Sequence, residues 1–173
     1  MKKFLFMTMI AALLSSGAFA KGSLTVKSGT NVLKNDATAT LTIDFSAAVW
    51  EDQGDFKTWS ADNYELFVET AQKALTDGIN NNSKKFKITG RDEAQYTMVY
   101  KLSKLEQHQE FSAMWGRLSM YTSGTIEIVD NQSGEVVFAV EVSKQVGQPD
   151  YKTEDRLYKA FEVLGYQLTK LKK

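Results

Sequence analysis

The sequence predicts an α+β fold: a two-layer sandwich whose mixed or mainly antiparallel sheet of about five strands carries two amphipathic helices on one face. Three observations predict it. Residues 38–47 alternate apolar and polar with a period of two, the mark of a half-buried strand. Leu157, Phe161, Leu164, Leu168 and Leu171 form a 4-3-4-3 apolar stripe near the C-terminus. Asn131-Gln132-Ser133-Gly134 lies between two alternating runs, the pattern of an antiparallel hairpin.

The chain of 173 residues begins with an export signal. Lys2 and Lys3 precede the apolar stretch Phe4 to Leu14, broken only by Thr8, and Ala18-Phe19-Ala20 supplies a small-x-small cleavage pattern. That stretch is short beside the ~20 residues of a bilayer span. Residues 1–20 therefore read as a cleaved signal peptide, with the mature chain starting at Lys21. No later segment approaches a spanning length, so no membrane span is expected after cleavage. The expected destination is the periplasm or the extracellular space. With no Cys in the chain, lipid anchoring at a lipobox, disulfides, thiol catalysis and thiolate metal sites are excluded.

Residues 21–173 read as a single α+β domain, because no linker, charge block or repeat divides them. They carry 19 basic and 21 acidic side chains, a net charge of −2. That balance argues against a nucleic-acid partner, which requires concentrated positive charge. A hydrophobic content of 43% suits a globular domain and excludes a wholly disordered chain.

In chain order, short strands are expected at Leu24-Thr25-Val26 and near Val32-Leu33. The first long strand follows, with Ala39, Leu41, Ile43, Phe45 and Ala47 on its core side. Ser60 suits an N-cap for a helix whose stripe is Tyr64, Phe67, Val68, Ala71, Leu75 and Ile79. Asn80-Asn81-Asn82-Ser83 stops it. Phe86 and Ile88 give a short strand that Gly90 turns. If the passage from 38 to 88 is a strand–helix–strand crossover, the sheet is mixed. Tyr96 to Leu105 reads as a strand with Tyr96, Met98, Tyr100 and Leu102 on one side. The hairpin strands follow, with Thr125 to Asp130 leading in and Val136, Phe138, Val140 and Val142 returning. The last helix is capped by Asp150 or Thr153, ends in lysines that suit its negative pole, and is weakened by Gly165.

Catalytic and metal signatures are thin, and no catalytic residue, metal ligand or cofactor is assigned. His108 is the one histidine, and Glu106, His108 and Glu110 are spaced by two and four, an incomplete ligand set. Glu51, Asp52 and Asp55 around Gly54 do not match a calcium loop and read as a solvated turn. No glycine-rich phosphate cradle and no nucleophile elbow occurs. Aromatic placement is the better signal. Trp50, Phe56 and Trp59 occupy the connection before the first helix, and Phe111, Met114 and Trp115 occupy the connection from 106 to 116. Either these side chains form a ligand or partner surface, or they close the ends of the core.

Ala94-Gln95-Tyr96 and the run Asp130-Asn131-Gln132-Ser133-Gly134-Glu135-Val136 resemble small exported envelope proteins of Gram-negative bacteria, and at a distance the curli-secretion lipoprotein family. The resemblance implies an α+β sandwich in an envelope setting and no enzyme. This chain lacks that family's lipidated cysteine, and no functional residue carries over. The expected function is a non-catalytic periplasmic or secreted binding module of the cell envelope, with an envelope protein or a glycan as partner and an oligomer compatible with the pattern. The alternatives are a carboxylate-dependent glycan hydrolase and a structural accessory subunit of an envelope assembly.

Overall fold

Ala37, Ala39, Leu41 and Ile43 alternate with Thr38, Thr40, Thr42 and Asp44, and the strand they make is the reference line of the molecule. A computed structural model describes residues 22–90, 93–108 and 118–172. Its strands are β1 (Ser23–Gly29), β2 (Ala37–Asp44), β3 (Val49–Trp50), β4 (Phe86–Ile88), β5 (Tyr96–His108), β6 (Ser119–Asp130) and β7 (Val136–Val146). Its helices are α1 (Phe56–Ser60), α2 (Tyr64–Asn80) and α3 (Thr153–Lys170). The signal segment lies outside the described residues.

The strands form one sheet in the order β1-β7-β6-β5-β2-β4, with β3 pairing β5 beyond the end of β2. β2 runs parallel to β4 (Ala39 opposite Ile88) and to β5 (Leu41 opposite Met98). The remaining long pairs are antiparallel, including the β6–β7 hairpin around residues 131–134. The sheet is therefore mixed, as the crossover through α2 requires. It has seven strands rather than about five, and of these Val49–Trp50 is the one that the sequence pattern does not mark.

Both long helices cover the same face. α2 packs over β2 and β4, α3 over β6 and β7, and the two helices pack on each other. Their predicted stripes are the buried ones: Phe67, Ala71, Leu75 and Ile79 on α2, and Leu157, Phe161, Leu164 and Leu168 on α3. They meet through glycines. A Cβ on Gly78 would stand 2.2 Å from the Glu162 carbonyl oxygen, and one on Gly165 would stand 2.8 Å from the Leu75 carbonyl oxygen. Gly165 thus lowers helix propensity in return for close backbone approach.

Three local expectations are corrected. Val32 and Leu33 form a 3-10 turn instead of a strand. Asn31 Oδ1 accepts from Leu33 N (3.2 Å) while its amide donates to the Leu171 carbonyl (3.2 Å), and Lys34 Nζ donates to the Thr169 carbonyl (2.6 Å). The turn thereby closes the C-terminal end of α3. Ser60 does not cap α2, because its hydroxyl donates back to the Phe56 carbonyl at 2.8 Å. The cap belongs to Asp55, whose two oxygens accept from Lys57 N and Thr58 N, both at 3.1 Å, and start α1. At α3 neither Asp150 nor Thr153 caps: Asp150 holds Lys159, and the Thr153 hydroxyl accepts from Arg156 at 2.7 Å.

Candidate functional site

Trp50, Phe56 and Trp59 lie at the end of the sheet where β2 finishes and α2 begins. Trp50 and Phe56 are 2% and 1% exposed, so neither presents a surface to a ligand. Trp59 is half-buried and stacks on Trp50 with ring centroids 3.7 Å apart and planes 15° apart. Phe45 stacks on Phe56 at 5.4 Å, and Phe67 lies 6.1 Å from Trp59. These aromatics close one end of the core, the role weighed against a platform in the sequence. Phe111, Met114 and Trp115 lie outside the described residues.

The acidic turn is used locally. Asp55 caps α1, Asp52 pairs with Lys104 (3.2 Å), and a Glu51 oxygen accepts from Gln107 N (3.2 Å). His108 is exposed and meets the Tyr121 ring edge-on at 6.0 Å, while Glu110 is outside the described residues. Among the described residues no three His, Cys, Asp or Glu side chains gather as a metal set would.

The more distinctive geometry lies on the sheet face away from the two long helices. Its side chains are threonines and paired charges: Thr38, Thr42, Lys101 and Glu141 are exposed, while Ile126, Ile128, Val140 and Val142 point to the core. Halfway along, both ladders that β6 makes with its neighbours slip at the same level, with the extra residue on β5 and on β7. The β5–β6 register slips between Leu102 and Lys104, and the β6–β7 register slips between Thr122 and Gly124. On β7, Lys144 takes a left-handed φ of 47°. Such bulges bend a sheet and re-aim side chains.

A serine lies at this level on each of the three strands. Ser103 Oγ donates to the Ser123 carbonyl (3.0 Å), Lys144 N donates to Ser123 Oγ (3.0 Å), and Ser143 stands opposite Ser23 of β1. A serine row therefore crosses the sheet from β5 to β1. Beside it is an open groove of about 450 Å³, lined by Ser103, Ser123, Ser143, Thr125 and the charged Lys101, Glu127 and Glu141. Its charges cancel within the chain. Lys101 pairs with Glu127 at 2.7 Å, and Lys27 pairs with Glu141 at 2.8 Å. At the next level Glu106 accepts from Lys104 at 3.0 Å, with Lys144 3.7 Å away. The Glu106 hydrogen bond, and then Asp52, holds the Lys104 ammonium above its ordinary pKa.

The groove was not among the sequence-predicted sites, although a signal for it exists. The core phase of β5 steps from Leu102 to Leu105 and that of β7 from Val142 to Gln145, so both skip by three where strict alternation requires two.

No model of a known protein family matches the chain, and no curated protein does. Solved structures share its outline. One is the PelC dodecamer from Paraburkholderia phytofirmans, at 12% identity and a TM-score of 0.48 over 88% of this chain and 99% of that one. Another is a neuraminyllactose-binding hemagglutinin homologue from Helicobacter pylori, at 13% identity and a TM-score of 0.40 over 83% of this chain and 87% of that one. A Xanthomonas campestris protein of the family DUF330 gives 10% identity and a TM-score of 0.38 over 84% and 89%. At these values the likenesses do not bear on what the chain does.

Proposed function

We propose that this chain is an exported, non-catalytic binding module of the bacterial cell envelope, and that it holds a hydroxyl-rich, uncharged ligand of the glycan class in the serine-row groove. One observation supports the reading above the others. The two ladders of β6, to β5 and to β7, slip together beside a groove on the face that the long helices leave open. Regular pairing is given up there, and what is gained is a dent lined with hydroxyls and with charges already satisfied. Internally paired charges offer no net field to an ion, whereas alternating donors and acceptors suit sugar hydroxyls. Export rests on the leader at residues 1–20, with no helix among the described residues long and apolar enough to cross a membrane.

The experiment is capture of soluble envelope glycans on the immobilised exported chain, beside a Ser123→Trp variant that fills the groove. The expected result is at least ~10-fold weaker retention by the folded variant, about 1.4 kcal/mol. Equal retention by both proteins removes the groove from the account.

A carboxylate-dependent glycan hydrolase is the second reading, favoured by one relationship. Glu127 and Glu141 are diagonal neighbours on adjacent strands, since Thr125 faces Glu141 and Glu127 faces Ala139. Diagonal neighbours on adjacent strands interact, and both carboxylates border the one groove. Release of reducing ends from envelope glycans, lost in both Glu127→Gln and Glu141→Gln, supports the enzyme; bound but uncleaved glycan supports the binding module.

A further inference from the structure

We propose that the free edge of β1 is a self-pairing edge, on which a second copy of this chain adds its own β1 antiparallel about a two-fold axis at Thr25. The sheet ends in two edges that are treated differently. At β4 the edge is closed by side chains: Asn80 bonds both the N–H and the carbonyl of Ile88, and Ser83 Oγ accepts from Phe86 N. At β1, among the described residues, no side chain hydrogen-bonds to the strand's backbone. Every second residue of an edge strand points its N–H and carbonyl away from the sheet, which makes such an edge a template for another strand.

The β1 sequence complements itself in this arrangement. Leu24 and Val26 face the helix side, standing opposite the buried Val142 and Val140. Val26 is 42% exposed, and Leu24 lines a groove of about 460 Å³ with Val146, Val163 and Leu171 between β1 and α3. Pairing about Thr25 sets Leu24 against Val26 of the second copy, twice, and covers the mouths of both grooves. Apolar cross-strand pairs of this kind stabilise a sheet. Lys27, on the other face, is already held by Glu141 and comes to stand opposite Ser23 of the second copy, so the two Lys27 side chains do not face each other.

The fold also limits the pairing. A bulge separates Val26 from Ser28, and Gly29 turns the chain with a φ of 81°, so the regular edge ends at Lys27. The five regular residues, Ser23–Lys27, span ~17 Å. With a two-layer depth of ~20 Å, each copy covers ~340 Å², against ~800 Å² in a standard interface. The dimer therefore belongs to the weak, reversible class, and it closes on itself instead of growing into a fibre.

The test uses the full chain exported under its own leader and purified from the periplasmic or culture fraction. Sedimentation velocity from dilute to millimolar protein is expected to show a reversible dimer that Val26→Lys abolishes at every concentration. Because the chain has no cysteine, Thr25→Cys gives a single thiol next to its own symmetry mate, and it is expected to form an intermolecular disulfide on mild oxidation. Ser28→Cys, beyond the bulge, is expected to stay reduced. Circular dichroism establishes that each variant is folded, and if Val26→Lys is not, the two cysteine variants decide alone. A monomer at all concentrations, a dimer insensitive to Val26→Lys, or equal cross-linking at positions 25 and 28 overturns the proposal. None of these readouts involves the groove or its ligand.

Discussion

The side chain of Asn80 pairs with Ile88 as a neighbouring strand would. Its amide donates to the Ile88 carbonyl at 2.9 Å and its oxygen accepts from the Ile88 N–H at 2.8 Å. The last residue of α2 thus closes the exposed edge of β4 and fixes helix to sheet. Asn80→Ala leaves both groups of Ile88 unpaired and is expected to cost ~1–3 kcal/mol. Asn80→Asp turns an oxygen toward a carbonyl and is expected to cost no less. Urea unfolding measures the loss, and amide exchange at Ile88 localises it; unchanged exchange there excludes the edge-closing role.

Gly78 and Gly165 set the distance between α2 and α3. Replacing a helical glycine by alanine in an open site gains up to ~1 kcal/mol. At Gly78 the new methyl meets the Glu162 carbonyl oxygen at 2.2 Å, a backbone atom that cannot swing aside. Gly78→Ala is therefore expected to destabilise by ~1–3 kcal/mol through overpacking. Gly165→Ala, with its closest contacts at 2.8 Å, is expected to cost less. Chemical denaturation of the two variants checks the order.

Asp77 accepts from Lys73 (2.5 Å) and from the Tyr158 hydroxyl (2.8 Å), tying α2 to α3. The Lys73 hydrogen bond, followed by that from Tyr158, outweighs partial burial and lowers the Asp77 pKa. A depressed carboxylate contributes stability that is complete above its unfolded pKa of ~4 and is lost as pH falls through the folded value. Asp77→Asn is expected to be less stable at neutral pH and to lose stability less steeply below pH ~4. Urea midpoints across the acid range test this; parallel acid limbs for the two proteins count against it.

Trp50 is expected to report on stability and not on binding. It is 2% exposed and stacked on Trp59. Trp50→Ala is expected to cost ~3–5 kcal/mol. The fraction that remains folded is expected to retain ligand as the parent does, which equilibrium capture normalised to folded protein measures.

Much of the fold is legible in particular residues. Alternation in β2, the stripe from Tyr64 to Ile79, the stripe from Leu157 to Leu168 and the 131–134 turn each describe one face of one element, and each element forms within its pattern. β2 nevertheless stops at Asp44 and leaves Ala47, expected on the core side, exposed beside the buried Ala48. Caps and short turns are less legible, because several polar residues compete for the same orphan groups. Ser60 suits an N-cap for α2, but a short helix, α1, forms ahead of it on the Asp55 cap, and the Ser60 hydroxyl is taken by the Phe56 carbonyl. Val32 and Leu33 read equally as strand or turn until the C-terminal carbonyls of α3 are there for Asn31 and Lys34 to bond.

By itself the sequence determined the absence of thiol chemistry, the α+β class, the amphipathic faces and the hairpin, because each depends on local chemistry or on a short period. The tertiary structure alone decided which side of the aromatic balance Trp50 and Phe56 fall on, since an indole is core or surface according to what packs over it. It alone also aligned Ser103, Ser123 and Ser143 on neighbouring strands, since a register shift belongs to a pair of strands and not to either one. The contrast between the closed edge at β4 and the open edge at β1 likewise exists only once sheet order is set, because strands far apart in the chain become the two ends of one sheet.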